Sequence, residues 1–189
     1  MSPSDAAATV LVLVGSLRAA SINRQIAELA IATAPERVRV EWFDRLADLP
    51  HYNEDLDTDP AAEPVSALRS AASRADAVLV VTPEYNGSTP GVLKNAIDWL
   101  SRPYGNSPAK GKPAAVIGAS LGQYGGVWAH DETRKSLGIA GLRVIDDITL
   151  SIPTKTLQGR APAEVPDVVE SVRGVLGGLA GHAASVAAD

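Results

Sequence analysis

Ala77-Val78-Leu79-Val80-Val81 is a short apolar run, rich in β-branched side chains and without alternation. A half-exposed strand would alternate with period two, and a buried helix would run longer. The run therefore predicts a strand buried on both faces, the state of a central strand in a parallel sheet. Upstream, Val10-Leu11-Val12-Leu13-Val14 repeats the pattern and stops at Gly15. Downstream, residues 114–119 read as a fourth strand, and residues 142–152 hold a fifth strand or two fragments of one. Val38-Arg39-Val40-Glu41-Trp42 alternates, like a strand with one wetter face.

Helical spacing fills the intervals. Ile22, Ile26, Leu29 and Ala30 recur on one face until Ala34-Pro35, and Val65, Leu68, Ala71 and Ala72 give a second helix. Val92, Leu93, Ala96, Ile97, Trp99 and Leu100 give a third, with Thr89 read as its N-cap and Pro90 as its first helical residue. A fourth is expected near residues 127–137. The tail, residues 163–187, is helical in pattern but interrupted by Gly174, Gly177, Gly178 and Gly181. Residues 48–60 and 102–112 read as loops. Strand and helix alternating five times mean parallel strands, right-handed crossovers and helices on both faces, a three-layer α/β/α sandwich. Five such strands in 189 residues suit the flavodoxin-like order 2-1-3-4-5. Ligands in such sheets sit beyond the carboxyl ends of the strands, here after Val14, Thr82 and Ala119. One domain is expected over residues 1–189, with residues 1–8 as a flexible N-terminus.

Composition narrows the function. Hydrophobic residues make up 46 % and charged residues 21 %, a soluble globular balance. A net charge of −5 argues against a nucleic-acid binder, which needs a basic face. With no cysteine, disulfides, thiolate catalysis and cysteine-metal sites are excluded. No apolar run approaches the roughly 20 residues of a membrane span. The start, Met1-Ser2-Pro3-Ser4-Asp5, has no signal-peptide pattern, so a cytoplasmic protein is expected. His51, His130 and His182 lack metal-ligand spacings. His130-Asp131-Glu132 reads as a solvated helix face, and Glu54, Asp55 and Asp57 as solvated loop residues. Lys94 and Asp98 read as an exposed i,i+4 pair, and Trp99 as core.

Two strand-end loops carry the chemistry. The first is Gly15-Ser16-Leu17-Arg18-Ala19-Ala20-Ser21-Ile22-Asn23. It joins a strand to a helix N-terminus and offers two hydroxyls, a guanidinium and a carboxamide, with no carboxylate from Gly15 to Gln25. Helix N-termini present free N–H groups and partial positive charge, so the loop suits a phosphate monoester. The plainer reading is that Ser21 N-caps the helix and Arg18 is solvated. Neither G-x-G-x-x-G nor the Walker pattern is present, which favours a mononucleotide over a dinucleotide. The second loop is Pro83-Glu84-Tyr85-Asn86-Gly87-Ser88-Thr89-Pro90-Gly91. Its prolines and glycines fix an unusual backbone path, as the edge of a flat heteroaromatic ring requires.

Together these loops resemble the NADPH-dependent FMN reductase family, which includes bacterial quinone, chromate and azo-dye reductases. The likeness runs through GSLRAASIN (15–23), PEYNGSTPGVLKNAIDWLSRP (83–103) and GKPAAVIGASLGQYGG (111–126). It implies a flavodoxin-like fold and non-covalent FMN, with NADPH or NADH as co-substrate. Ser16, Arg18, Ser21 and Asn23 would hold the FMN phosphate. Pro83, Glu84, Tyr85, Asn86 and Gly87 would line the ring and ribityl chain. Ala119 and Ser120 would meet the flavin from the third loop, with residues 122–126 shaping its rim. A ping-pong cycle would pass hydride from NAD(P)H to FMN and two electrons on to a quinone-like acceptor. No side-chain acid or base is needed for it, so no catalytic residue is assigned. The resemblance also implies a homodimer or homotetramer. Trp128 stands where many relatives carry Arg, two residues after the Gly-Gly pair, which departs from the usual tetramer contact.

Two other readings stay open on the sequence. A flavodoxin-type electron carrier would bind FMN without turning over nicotinamide. A serine hydrolase would use Gly118-Ala119-Ser120-Leu121-Gly122 as a nucleophile elbow, followed by Asp146 or Asp147 and by His182.

Overall fold

The computed structural model describes residues 7–187. Strands β1 (Ala8–Val14), β2 (Val38–Trp42), β3 (Ala77–Val81), β4 (Pro113–Ser120) and β5 (Arg143–Pro153) form a parallel sheet in the order β2-β1-β3-β4-β5. Helices α1 (Ile22–Ala32), α2 (Glu63–Arg74), α3 (Gly91–Leu100), α4 (Val127–Ile139) and α5 (Pro166–Ala187) cover both faces. The apolar runs have no alternation because both faces are covered. Val10, Val12 and Val14 join the core formed with α1 and α5, whereas Leu11 and Leu13 join the core formed with α2 and α3. The flavodoxin-like expectation is met in strand order and layering.

Several local expectations are corrected. Ala8 is already in β1, paired with Val38, one residue inside the stretch expected to be flexible. Residues 1–6 lie outside the described residues. Residues 143–153 are one strand, bulged so that Val144 pairs with Ala114 and Thr149 with Val116. Pro90, not Thr89, holds the N-cap position of α3. The Thr89 hydroxyl meets the Thr133 hydroxyl on α4 at 2.8 Å instead. Asp57 is half-buried in a 2.7 Å ion pair with Arg69, while Glu54 and Asp55 are exposed as expected. Trp99 is core, and its indole N–H donates to the Pro50 carbonyl at 2.8 Å. Lys94 and Asp98 form the expected exposed pair at 2.6 Å. The last helix is continuous over 22 residues. One of its glycines is a packing requirement, since a Cβ at Gly178 would stand 2.9 Å from Ile148 Cδ1.

Candidate functional site

The loops after β1, β3 and β4 meet at one edge of the sheet. Ser16 is buried, and its Oγ lies 3.4 Å from the Tyr85 hydroxyl, joining the first loop to the second. Asn23, in the first turn of α1, is buried and reaches the third. Its Nδ2 donates to the Ala119 carbonyl at 2.9 Å, and its Oδ1 accepts the Ala119 N–H at 2.8 Å. Ser21 N-caps α1, and its Oγ accepts the Asn23 N–H at 3.2 Å. The capping reading of Ser21 thus holds.

The first loop keeps an open donor set. Among the described residues, no protein acceptor takes the backbone N–H groups of residues 16–20. The two nearby arginines differ. Arg24 is ion-paired with Asp44 at 2.9 Å and stacks 4.6 Å from the Trp42 ring centre. Arg18 is exposed and makes only a 3.4 Å contact with the Ala20 carbonyl. A cationic fork beside free N–H groups at a helix start is the donor chemistry that a phosphate monoester requires.

The second loop is a two-residue turn. Tyr85 and Ser88 exchange N–H···O=C bonds of 3.1 Å in both directions. Asn86 and Gly87 between them have φ of 54° and 74°. Positive φ at both central positions is the type I′ pattern, for which Asn-Gly is the favoured pair. The Asn86 and Gly87 N–H groups take no protein acceptor among the described residues. Two adjacent outward donors on a rigid turn fit the edge of a flat, acceptor-bearing ring.

Glu84 is committed elsewhere. Its Oε2 accepts the Trp128 and Ala129 N–H groups at 3.1 and 3.2 Å. These belong to the first turn of α4, whose N-cap residue, Gly126, supplies no capping side chain. Glu84 therefore caps α4 across space through Oε2. Glu132 returns the tie, accepting from the Ser88 hydroxyl at 2.6 Å and the Thr89 N–H at 2.9 Å. The Ser88 hydroxyl, with the Thr89 N–H, holds the Glu132 carboxyl below the usual carboxylate range.

Of the 130–132 run only the histidine departs from the expected solvated face, since Glu132 is exposed although hydrogen-bonded. His130 is fully buried. Its Nε2 donates to the Thr82 carbonyl at 3.0 Å, and its Nδ1 accepts from Ser151 Oγ at 2.7 Å. Burial lowers its pKa from the ordinary histidine value. Asp131 is a surface residue as well, paired with Arg134 at 2.7 Å. Sequence reasoning missed these residues because a His-Asp-Glu run is polar. The missing local cap at Gly126 was the available signal that α4 needs contacts from the facing loop.

The hydrolase reading fails on geometry. Ser120 ends β4, while the His182 carbonyl accepts from Arg143, whose β4 partner is Pro113, the other end of the strand. The eight residues of β4 span about 23 Å, far beyond Ser–His hydrogen-bond reach. Gly118 has its own reason: a Cβ there would stand 2.0 Å from the Thr82 carbonyl oxygen.

Strand order and convergent loops define a flavodoxin-like α/β protein with its chemistry at the carboxyl ends of β1, β3 and β4. The chain belongs to the NADPH-dependent FMN reductase family, whose profile matches residues 8–156. It is 47 % identical over 129 residues to a quinone reductase of Pseudomonas putida, covering 68 % of this chain and 69 % of that one. It is 45 % identical over 125 residues to a 2-hydroxy-1,4-benzoquinone reductase of a Burkholderia species, covering 66 % and 67 %. Among solved structures, the flavoenzyme NAD(P)H:(acceptor) oxidoreductase FerB from Paracoccus denitrificans superposes with a TM-score of 0.83 at 35 % identity, over 94 % of this chain and 98 % of that one. The protein is an NAD(P)H-dependent FMN oxidoreductase. Family membership favours the reductase over the electron carrier. Among the described residues no helix is long and apolar enough to cross a membrane.

Proposed function

We propose that the chain folds as one FMN-binding unit that passes electrons from NAD(P)H to quinone-like acceptors. The FMN phosphate sits in the first loop and the ring on the Asn86-Gly87 turn. The observation that carries this reading is the pair of adjoining sets of backbone N–H groups, residues 16–20 and Asn86 with Gly87, that take no protein acceptor among the described residues, with the exposed Arg18 beside the first. FMN held by these loops would supply the hydride and two-electron redox chemistry.

The chain's own residues bind and orient. Arg18, Ser16 and Ser21 hold the phosphate with the loop N–H groups. Asn23 acts from one step back, since its carboxamide is bonded to Ala119; it fixes the loop that touches the phosphate. Pro83, Tyr85 and the backbone of Glu84 support the ring, and Ala119 and Ser120 close the side toward β4. The Asn86 and Gly87 N–H groups would donate to the ring and favour its reduced, anionic form, as oxyanion-hole donors do. No side chain is needed as acid or base.

A quinone-like acceptor is supported by relatives named for quinones, among them the 2-hydroxy-1,4-benzoquinone reductase. Trp128 and Tyr124, 59 % and 55 % exposed, stand edge-to-face at 6.0 Å. They border the turn, with Trp128 Cε3 4.0 Å from the Cβ direction of Gly87. Such an exposed aromatic rim suits a flat acceptor, and it is also the kind of surface a second copy covers, in keeping with a cytoplasmic homo-oligomer. Anaerobic titration tests the function. NADPH or NADH should bleach the yellow protein within one equivalent per flavin, and a benzoquinone should restore the colour. A protein that stays yellow with both nicotinamides is an electron carrier instead.

A further inference from the structure

β3 and β4 pair as far as Thr82, whose N–H donates to the Ile117 carbonyl at 2.9 Å. In an evenly spaced parallel ladder the next bond runs from the Ala119 N–H to the Thr82 carbonyl. Here both groups have other partners. The Ala119 N–H goes to Asn23 Oδ1 at 2.8 Å, and the Thr82 carbonyl accepts from His130 Nε2 at 3.0 Å. One side chain from α1 and one from α4 thus replace the rung that would zip the strands further.

We propose that His130, together with Asn23, is a positioning residue that parts β3 from β4 and so sets the path of residues 82–87 under the flavin ring, an inference that rests on the flavin seat proposed above. A carbonyl can only accept, so the proton on Nε2 is required and fixes the neutral tautomer. Nδ1 is then free to accept from Ser151, which ties β5 to the same point. Without the imidazole, the Thr82 carbonyl is left with no donor beside Gly118, where a Cβ would stand 2.0 Å from it. A buried unpaired carbonyl re-aims or opens to water, and the Pro83–Gly87 path moves with it. The charged groups facing the ring are Arg134 and Asp131 from α4 and Glu84 from the β3–α3 loop. Burial, with Arg134, lowers the pKa of the imidazole and so favours its neutral form.

FMN titration of the full-length chain, followed by flavin fluorescence, tests this with His130→Leu and His130→Gln. Leu removes the donor at similar volume, and Gln restores an N–H donor without a titrating ring. The expected result is binding about tenfold weaker for His130→Leu, with a shifted visible absorption band of the bound flavin. His130→Gln should recover both. Unchanged binding in His130→Leu, or equal loss in both variants, overturns the inference. If His130→Leu does not fold, the pH profile decides. Protonated Nδ1 cannot accept from Ser151, so wild-type affinity should fall more steeply than that of His130→Gln once the pH drops well below the ordinary histidine range, to where burial has moved the titration. Parallel profiles overturn the inference, since the FMN phosphate, titrating near about pH 6, is common to both proteins. Arg18→Ala serves as the control. If it also leaves FMN binding unchanged, the flavin seat itself is wrong; if it alone weakens binding, only the role of His130 falls.

Discussion

Gly118→Ala is expected to lower stability by about 3 kcal/mol or more, at the upper end of what overpacking a tight core costs. The added Cβ would stand 2.0 Å from the Thr82 carbonyl oxygen, 2.9 Å from the Thr82 carbonyl carbon and 2.8 Å from Asn23 Oδ1. Two of these neighbours are backbone atoms of Thr82 at the carboxyl end of β3, so no rotamer change relieves the contact. Relief means sliding β3 against β4, which breaks the Asn23–Ala119 pair and the His130–Thr82 bond together. FMN binding should be lost with the fold. Urea unfolding measures the effect through its midpoint. A midpoint within about 0.5 kcal/mol of wild type would show that the strand ends are looser than the close approach implies.

Arg18→Ala is expected to weaken FMN binding by about 2 to 3 kcal/mol, roughly thirty- to 150-fold, while leaving the urea midpoint unchanged. Arg18 is exposed, has no carboxylate partner among the described residues and packs on nothing that its removal would leave as a cavity. Its removal should therefore cost the fold little. A bound phosphate dianion would lose its bidentate partner. The two substitutions separate the roles of scaffold and ligand contact: one should unfold the site, the other should empty it. Equal FMN affinity in Arg18→Ala and wild type would remove Arg18 from the phosphate seat.

The fold was legible because its signal is simple. Val10 to Val14 and Ala77 to Val81 lack alternation, since both faces of each strand meet helices. Glycine was the main source of error in the tail. Gly178 looks like a helix breaker, yet it marks where Ile148 crosses α5, a contact between residues distant in sequence. In the site, the loops and the donor-rich first segment were readable, because Ser, Arg and Asn-Gly have local chemistry. Side chains that reach across space were not. Glu84 was expected to line the ring and ribityl chain, and that its Oε2 also caps α4 was not readable. Thr89 was expected to cap α3 and instead meets Thr133. Asn23 was expected at the phosphate, and the pairing of its carboxamide with the backbone of Ala119, 96 residues away, was not readable. His130 in a polar run looked solvated and is fully buried. Each of these contacts is a polar side chain satisfying a backbone group or hydroxyl that no local pattern reveals.

A crystal structure of the FMN-loaded protein tests the central claim most directly. The account predicts the phosphate within hydrogen-bond distance of the Arg18 guanidinium and the N–H groups of residues 16–20, with the ring edge against the Asn86 and Gly87 N–H groups. A flavin seated elsewhere would contradict it, for example in the groove of about 520 Å³ lined by Lys94, Arg102 and Lys110 near the far ends of α3 and α4.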